Sequence, residues 1–290
     1  MNKRIRKAIF PVGGLGVRFL PATKALPKEM LPVVDRPLIQ YAVDEARDSG
    51  IEEFIFVTGR GKTAIENHFD YSFELLQTLK DRNMKEEIDA MLALSPNPGQ
   101  IAYVRQQEPL GLGHAVWCAR HLIGDEPFAV ILADDLILAE TPCLRQMLDV
   151  FEEMGGNILA TMEVPHEHTS RYGIVDADLS PKSLRKIKGL IEKPKKGNAP
   201  SNIAIIGRYI LLPEIFNELG KKKVGEGGEI QLTDALSSLI GTQPFYGLDF
   251  SGKRFDCGNK LGYLEANIAF ALERQDLGPS LRKVLTNYGF

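Results

Sequence analysis

The stretch Ala8-Ile-Phe-Pro-Val12-Gly-Gly-Leu-Gly16-Val-Arg18-Phe-Leu-Pro21 decides how the fold is read. A short apolar run breaks into three closely spaced glycines, Gly13, Gly14 and Gly16, followed at once by a cation. The run predicts a buried strand, with Pro11 ending its hydrogen-bonded part near Phe10, since proline has no N–H for a ladder. Glycines just past a strand let backbone N–H groups close on an anion, and open α/β sheets bind ligands at the carboxyl ends of their strands. Two common phosphate motifs fail by inspection. The dinucleotide fingerprint needs a glycine where Phe19 stands, and the Gly-Lys-Ser/Thr ending of a Walker loop is absent. What remains is a glycine turn with Arg18 beside it and Lys28 ten residues on, in Pro27-Lys28-Glu29-Met30-Leu31-Pro32. Arginine suits a two-pronged grip on phosphate and lysine a point charge.

Working outward, Pro37 to Arg47 carries apolar residues at three-to-four spacing behind a proline, the pattern of a helix ending at Gly50. Phe54–Thr58, Ile101–Val104 and Phe128–Ala133 are apolar, β-branched runs that suit strands of a parallel sheet covered on both faces. A helix is expected over His114–Arg120 and a long helical insert over residues 62–94. Strand–helix alternation over residues 7–135 predicts an α/β, doubly wound half. After residue 155 strands at Asn157–Val164, Gly173–Asp176, Leu184–Ile191 and Ile203–Ile210 follow one another across loops, which implies a mixed or antiparallel portion. Helical patterns return at Pro213–Leu219, Ile230–Ile240 and Leu261–Leu272. With no repeat and no linker, the chain reads as a single catalytic domain over 1–290. Its parts are a nucleotide-binding lobe (1–155), a sugar-binding lobe (156–250) and C-terminal helices (251–290) suited to oligomer contacts.

Composition narrows the function. At 290 residues, 44% hydrophobic and 25% charged, the chain is ordinary globular material. Its net charge of −3 lacks the basic footprint of a nucleic-acid binder. No apolar segment is long enough for a spanning helix, and the basic start Met1–Lys7 lacks the apolar region and cleavage site of a signal peptide. Three cysteines without CxxC spacing read as thiols, and the expected location is cytoplasmic.

Taken together, GGLGVRFLP, KEMLP, Pro21-Ala-Thr-Lys-Ala-Leu-Pro and Asp35-Arg-Pro-Leu-Ile-Gln-Tyr resemble the sugar-phosphate nucleotidyltransferases, and within them the bacterial UTP–glucose-1-phosphate uridylyltransferase branch. The likeness continues, in the family's order, through Gln106, Gly111-Leu-Gly-His114, Leu132-Ala-Asp-Asp135, Arg171-Tyr-Gly-Ile-Val-Asp176, Glu192-Lys-Pro, Glu229-Ile-Gln-Leu-Thr-Asp234 and Phe255-Asp-Cys-Gly-Asn-Lys-Leu-Gly262. The resemblance implies a Rossmann-like, doubly wound mixed sheet of glycosyltransferase-A-like type with a smaller sugar-binding β portion. It also implies transfer of uridylyl from UTP to glucose 1-phosphate with Mg²⁺ as cofactor, in a homodimer or homotetramer. Two other readings remain in play: the same chemistry on another nucleoside triphosphate or sugar phosphate, and a catalytically silent subunit. The family usually has threonine where this chain has Val17, so an altered triphosphate affinity is expected.

By the same resemblance Arg18 and Lys28 are the catalytic cations, and Asp134 and Asp256 the metal carboxylates. Gly13, Gly14, Gly16, Glu29, Gln106 and Gly111 bind the nucleotide; Tyr172, Gly173, Glu192, Lys193 and Ala204 line the sugar. Read from the residues alone, several have plainer explanations: a local salt bridge for Glu29, a helix N-cap for Asp256, and strand packing for Ala204. A paired donor and acceptor, as in the Gln106 amide, is what reading a uracil edge needs.

Overall fold

In the computed structural model, residues 3–177 and 183–289 are described. Thirteen strands and eleven α-helices are found among them. The first half runs β1 (Lys7–Pro11), α1 (Leu38–Asp48), β4 (Glu53–Thr58), β5 (Ile101–Arg105) and β6 (Phe128–Ile131), with β2 (Pro32–Val33) and β3 (Arg36–Pro37) forming a small hairpin ahead of α1. The expected long insert is three helices, α2 (Thr63–Phe69), α3 (Phe73–Asp81) and α4 (Lys85–Leu94). The helix expected over His114–Arg120 starts earlier and breaks, as α5 (Leu112–Cys118) and α6 (Arg120–Ile123). Then come β7 (Asp135–Leu138), α7 (Cys143–Met154), β8 (Asn157–Glu163), β9 (Gly173–Ala177), β10 (Leu184–Glu192), β11 (Ile203–Leu211), α8 (Ile215–Gly220), α9 (Leu232–Leu239), β12 (Phe245–Asp249), β13 (Lys253–Asp256), α10 (Lys260–Glu273) and α11 (Gly278–Asn287).

Nine strands make one mixed sheet in the order β5-β4-β1-β6-β11-β8-β12-β10-β9. The quartet β5, β4, β1 and β6 is parallel. Beyond it, β11 is antiparallel to β6 and β8, while β12 is parallel to β8. Alternate side chains of a strand point to opposite faces, and both faces here are apolar. Ala8, Phe10, Phe54, Phe56, Ala129 and Ile131 face one core with α1, α2 and α7. Ile9, Ile55, Val57, Phe128 and Val130 face another with α5, α8 and α9. Strands read as continuous apolar runs are therefore runs because helices cover both sides.

Pro11 does not end the ladder as expected. It stays in register with Val57, and Val12 N donates to Val57 O at 2.9 Å. Successive N–H groups of a strand point to opposite neighbours, so the imide nitrogen faces β6, whose pairing has already stopped at Ile9–Val130. Proline is tolerated where no donor is wanted.

The sequence did not suggest a second, two-stranded ribbon beside the main sheet. In it β7 pairs antiparallel with β13, and Asp135 lies opposite Asp256. Among the described residues no helix is long and apolar enough to cross a membrane, and all three cysteines are free thiols.

Candidate active site

The glycine turn leaves β1 and reverses direction at Gly16, whose φ of 66° is left-handed backbone that a side chain would strain. Thr23 Oγ1 donates to Gly16 O at 2.8 Å and closes the loop. A single turn, Lys28–Met30, follows. The turn lines a cavity of about 510 Å³ with Lys28, Glu29, Gln106 and Asp134. Asp134 also lines an adjoining cavity of about 560 Å³ with Arg18, Lys193, Arg254 and Asp256. The acid at the end of β6 thus stands where the two spaces meet.

Lys28 Nζ donates to Asp134 Oδ2 at 2.6 Å, and a β-carbon placed on Gly14 would lie 4.0 Å from the same Nζ. A β-carbon on Gly258 would lie 2.9 Å from Asp256 Oδ1, 3.2 Å from Asp134 Oδ2 and 3.4 Å from Arg18 Nη1. Arg18 Nη1 donates to Gly258 O at 3.4 Å. Residues far apart in sequence therefore share one crevice. Burial acts to raise the Asp134 carboxyl, but the Lys28 ammonium and its hydrogen bond win and hold it below the usual carboxylate range. Burial would likewise lower Lys28; Asp134 and Glu29 outweigh it and raise the ammonium. Asp256 is not the N-cap of the following helix. Its Oδ1 accepts from Gly258 N at 3.0 Å, whereas Asn259 caps α10 by accepting from Gly262 N at 2.9 Å.

Residues 7–272 match the nucleotidyl transferase family. The chain belongs to that family. A UTP–glucose-1-phosphate uridylyltransferase of Bacillus subtilis (strain 168) is 53% identical over 279 residues, covering 96% of this chain and 95% of the relative. A UTP-bound UGPase from Acinetobacter baumannii superposes with a TM-score of 0.90 at 40% identity, covering 97% of this chain and 99% of that one. A UDP-glucose pyrophosphorylase complexed with UDP-glucose gives a TM-score of 0.83 at 43% identity, covering 93% and 100%.

In this nucleotidyl transferase the cavity beside the glycine turn is walled by buried polar contacts. Gln106, at the end of β5, donates through Nε2 to Gly111 O and reaches His114 Nδ1, both at 3.1 Å. Gly111 has a φ of 105°, and a β-carbon there would meet Glu229 Cβ at 2.7 Å and Ile230 O at 2.9 Å. The close approach it permits in this structure is to the segment before α9. Glu29 is 1% exposed. Its Oε2 accepts from Lys62 Nζ at 2.7 Å, yet its buried Oε1 has no hydrogen-bond partner among the described residues. The salt bridge expected as the plain explanation exists, and an orphan acceptor remains beside the cavity, a feature that invites a donor.

On the far side, Gly173 and Glu192 are register partners of β9 and β10. A β-carbon on Gly173 would lie 3.2 Å from Glu192 Oε2, and Lys193 Nζ lies 3.2 Å from Glu192 Oε1. Tyr172 OH accepts from Arg254 Nη1 at 3.2 Å. Ala204 is the exception among the candidate sugar residues. It is fully buried in a small cluster with Val164 and Ile174, against which Tyr172, a residue lining the second cavity, packs. Its own side chain lines neither cavity and lies one layer behind Tyr172.

Sequence reasoning missed Lys62, Arg254 and Arg208. Arg254 Nε donates to Asp135 Oδ1 at 2.7 Å, placing a cation beside two carboxylates that face each other across the ribbon. Like charges directly opposite are unfavourable in a sheet, and Arg254 offsets them. Burial pushes the Asp135 carboxyl up, against the pull of Arg254; its Oδ2 accepts from Gly207 N, a fixed structural bond. That leaves Asp134 and Asp256 for a cation. Among the described residues no group of three metal-ligating side chains occurs. Two carboxylates flanking one point fit Mg²⁺, which takes one or two carboxylates and completes its shell with phosphate oxygens and water.

Proposed function

We infer that the chain catalyses UTP + α-D-glucose 1-phosphate → UDP-glucose + diphosphate. The observation that carries the reading is the meeting of Arg18, Lys28, Asp134 and Asp256 around the glycine turn, in a chain of this family. A phosphate oxygen of the sugar attacks the α-phosphorus of UTP. The bond from that phosphorus to the bridging oxygen breaks, and diphosphate leaves in line. The attacking phosphate is already ionised, so the protein needs no nucleophile of its own; its tasks are alignment and neutralisation.

In this reading the backbone of Gly13, Gly14 and Gly16 faces the triphosphate and Arg18 meets the departing phosphates. Lys28, with one of its three N–H donors on Asp134, offers another to the phosphates being transferred. Asp134 and Asp256 would hold Mg²⁺, which when bound would screen the charge of the triphosphate. Gln106 and the Gly111 segment read the base, and Glu29 Oε1 accepts from the nucleoside. Tyr172, Gly173, Glu192 and Lys193 hold the sugar phosphate, with Ala204 packed behind them. We assign residues 1–155 to the nucleotide lobe, 156–250 to the sugar lobe and 251–290 to oligomer contacts in a homodimer or homotetramer. The sheet is assigned as Rossmann-like and glycosyltransferase-A-like. Substrates that are charged cell metabolites agree with a cytoplasmic location.

A diphosphate-release assay across several nucleoside triphosphates and sugar 1-phosphates tests this directly. UTP with glucose 1-phosphate gives the highest kcat/KM, the signal is lost in chelator, and excess Mg²⁺ restores it. A higher value for another pair would replace the substrate assignment, and full turnover in chelator would remove the metal. Val17 is 62% exposed and lines the nucleotide cavity. Val17→Thr adds a hydroxyl there and lowers the Kd for UTP by about threefold to tenfold, the worth of one hydrogen bond. An unchanged Kd by calorimetry would show that the hydroxyl has no partner.

A further inference from the structure

We propose that His114 is a positioning residue that fixes the orientation of the Gln106 amide, so that this amide offers the base an acceptor and no donor, which selects uracil over cytosine. This rests on the assignment of Gln106 to base reading made above.

A carbonyl only accepts, so the bond from Gln106 to Gly111 O identifies the amide nitrogen without ambiguity. The same nitrogen lies 3.1 Å from His114 Nδ1. An NH₂ group has two donors; Gly111 O takes one, and Nδ1 can take the other only as the unprotonated nitrogen of a neutral imidazole. Both donors are then engaged inside the protein, so the amide does not offer the base the donor-and-acceptor pair expected from the sequence. Oε1 is what remains for the ligand, 3.0 Å from where a Gly13 β-carbon would sit, on the wall of the nucleotide cavity. Uracil presents an N3–H donor on its pairing edge, whereas cytosine presents a bare N3 acceptor. An amide fixed with its oxygen outward pairs with the first and repels the second.

The surroundings keep the ring neutral. His114 is buried in the first turns of α5 and its ring stacks on Trp117 with centroids 6.0 Å apart. Cys118 Sγ lies 4.0 Å from Nε2. The charged groups that reach it are Lys222, after α8, and Glu108, in the loop after β5. Burial first and Lys222 second depress its basicity, against a weaker opposite pull from Glu108. Once protonated, Nδ1–H confronts the amide N–H₂, and relief requires a flip that turns the amide nitrogen toward the base. Uracil recognition is therefore intact above the lowered pKa of His114 and fails as the pH drops through it.

Steady-state kinetics with UTP and CTP over a pH series test this in the wild type, His114→Asn and His114→Leu. Asparagine keeps an acceptor near the position of Nδ1 but cannot titrate; leucine removes the acceptor. Titration of the substrates' own phosphates is common to all three enzymes and cancels in the comparison. The wild type shows a KM for UTP that rises on acidification while its kcat changes less. His114→Asn keeps the UTP preference and loses that rise. His114→Leu lowers the UTP-to-CTP ratio of kcat/KM by about tenfold, the value of one net hydrogen bond. An acid rise in KM that persists unchanged in His114→Asn overturns the proposal even if His114→Leu fails to fold, as does a wild-type ratio in a folded His114→Leu. A wild type that prefers another base overturns the substrate assignment itself, a distinguishable result.

Discussion

Lys28→Ala lowers kcat by at least 100-fold, about 2.7 kcal/mol of transition-state stabilisation, while circular dichroism and the melting transition stay close to wild type. The two effects separate because they have different sizes. The Lys28 and Asp134 side chains are 24% and 25% exposed, so loss of the pair costs about 1 kcal/mol or less of stability. In the proposed reaction the ammonium acts where two anions are pressed together in a crevice partly closed to water, and there a preorganised charge is worth several times more. Linkage gives a control. Asp134 is held below its ordinary 3.8, so the pair's contribution is complete above the ordinary carboxylate pKa and is lost only as the pH falls through the depressed value. At neutral pH the wild type and variant therefore differ by the full contribution. Near-normal turnover in a folded Lys28→Ala would remove the lysine from the chemistry.

Arg208→Met destabilises the protein by about 3–5 kcal/mol, the cost of stranding one member of a buried ion pair. Arg208 is fully buried in β11. Its Nη2 and Nε bond Glu45 of α1 at 2.7 and 3.0 Å, and it also donates to Leu132 O and Asp135 O. Those carbonyls bracket Asp134. The arginine thus ties α1, the main sheet and the β6–β7 turn together, so urea unfolding and UTP affinity both weaken. Arg208→Met/Glu45→Met recovers part of the loss because no charge is left unpaired. Glu45 Oε1 also accepts from Leu144 N at 3.1 Å, so recovery stays incomplete. A loss under 1 kcal/mol in the single variant would mean that Glu45 finds another partner.

Elements governed by local chemistry were legible before any coordinates. The parallel strands announce themselves because both of their faces are covered, and Pro37 and Gly50 punctuate α1. The glycine turn is legible because glycines, Arg18 and Lys28 lie within one short stretch. Long-range pairing leaves no such local mark. β7 and β13 are four residues each, too short for periodicity to show, and Asp134 and Asp135 look like one acidic step although one faces the crevice and the other holds a backbone N–H. Arg208 interrupts an apolar strand and gives no sign that a glutamate from α1 meets it. Gln106 and His114 were both in view, but which amide donor goes where is decided by the Gly111 carbonyl, and that requires the fold of the loop. Pro11 carries no such mark either, because whether its missing donor matters depends on which neighbouring strand it faces, and only the sheet order sets that.

The β7–β13 ribbon has a consequence for how the molecule is made. One of its strands comes from the middle of the chain and the other from near its end, so Asp134 and Asp256 cannot meet until translation has passed the second. Domains generally fold as units, so the final packing of this one waits on its late-made strands. A product prematurely terminated before Lys253 would lack both the strand that pairs with β7 and the second acid, leaving Asp134 without its counterpart across the crevice.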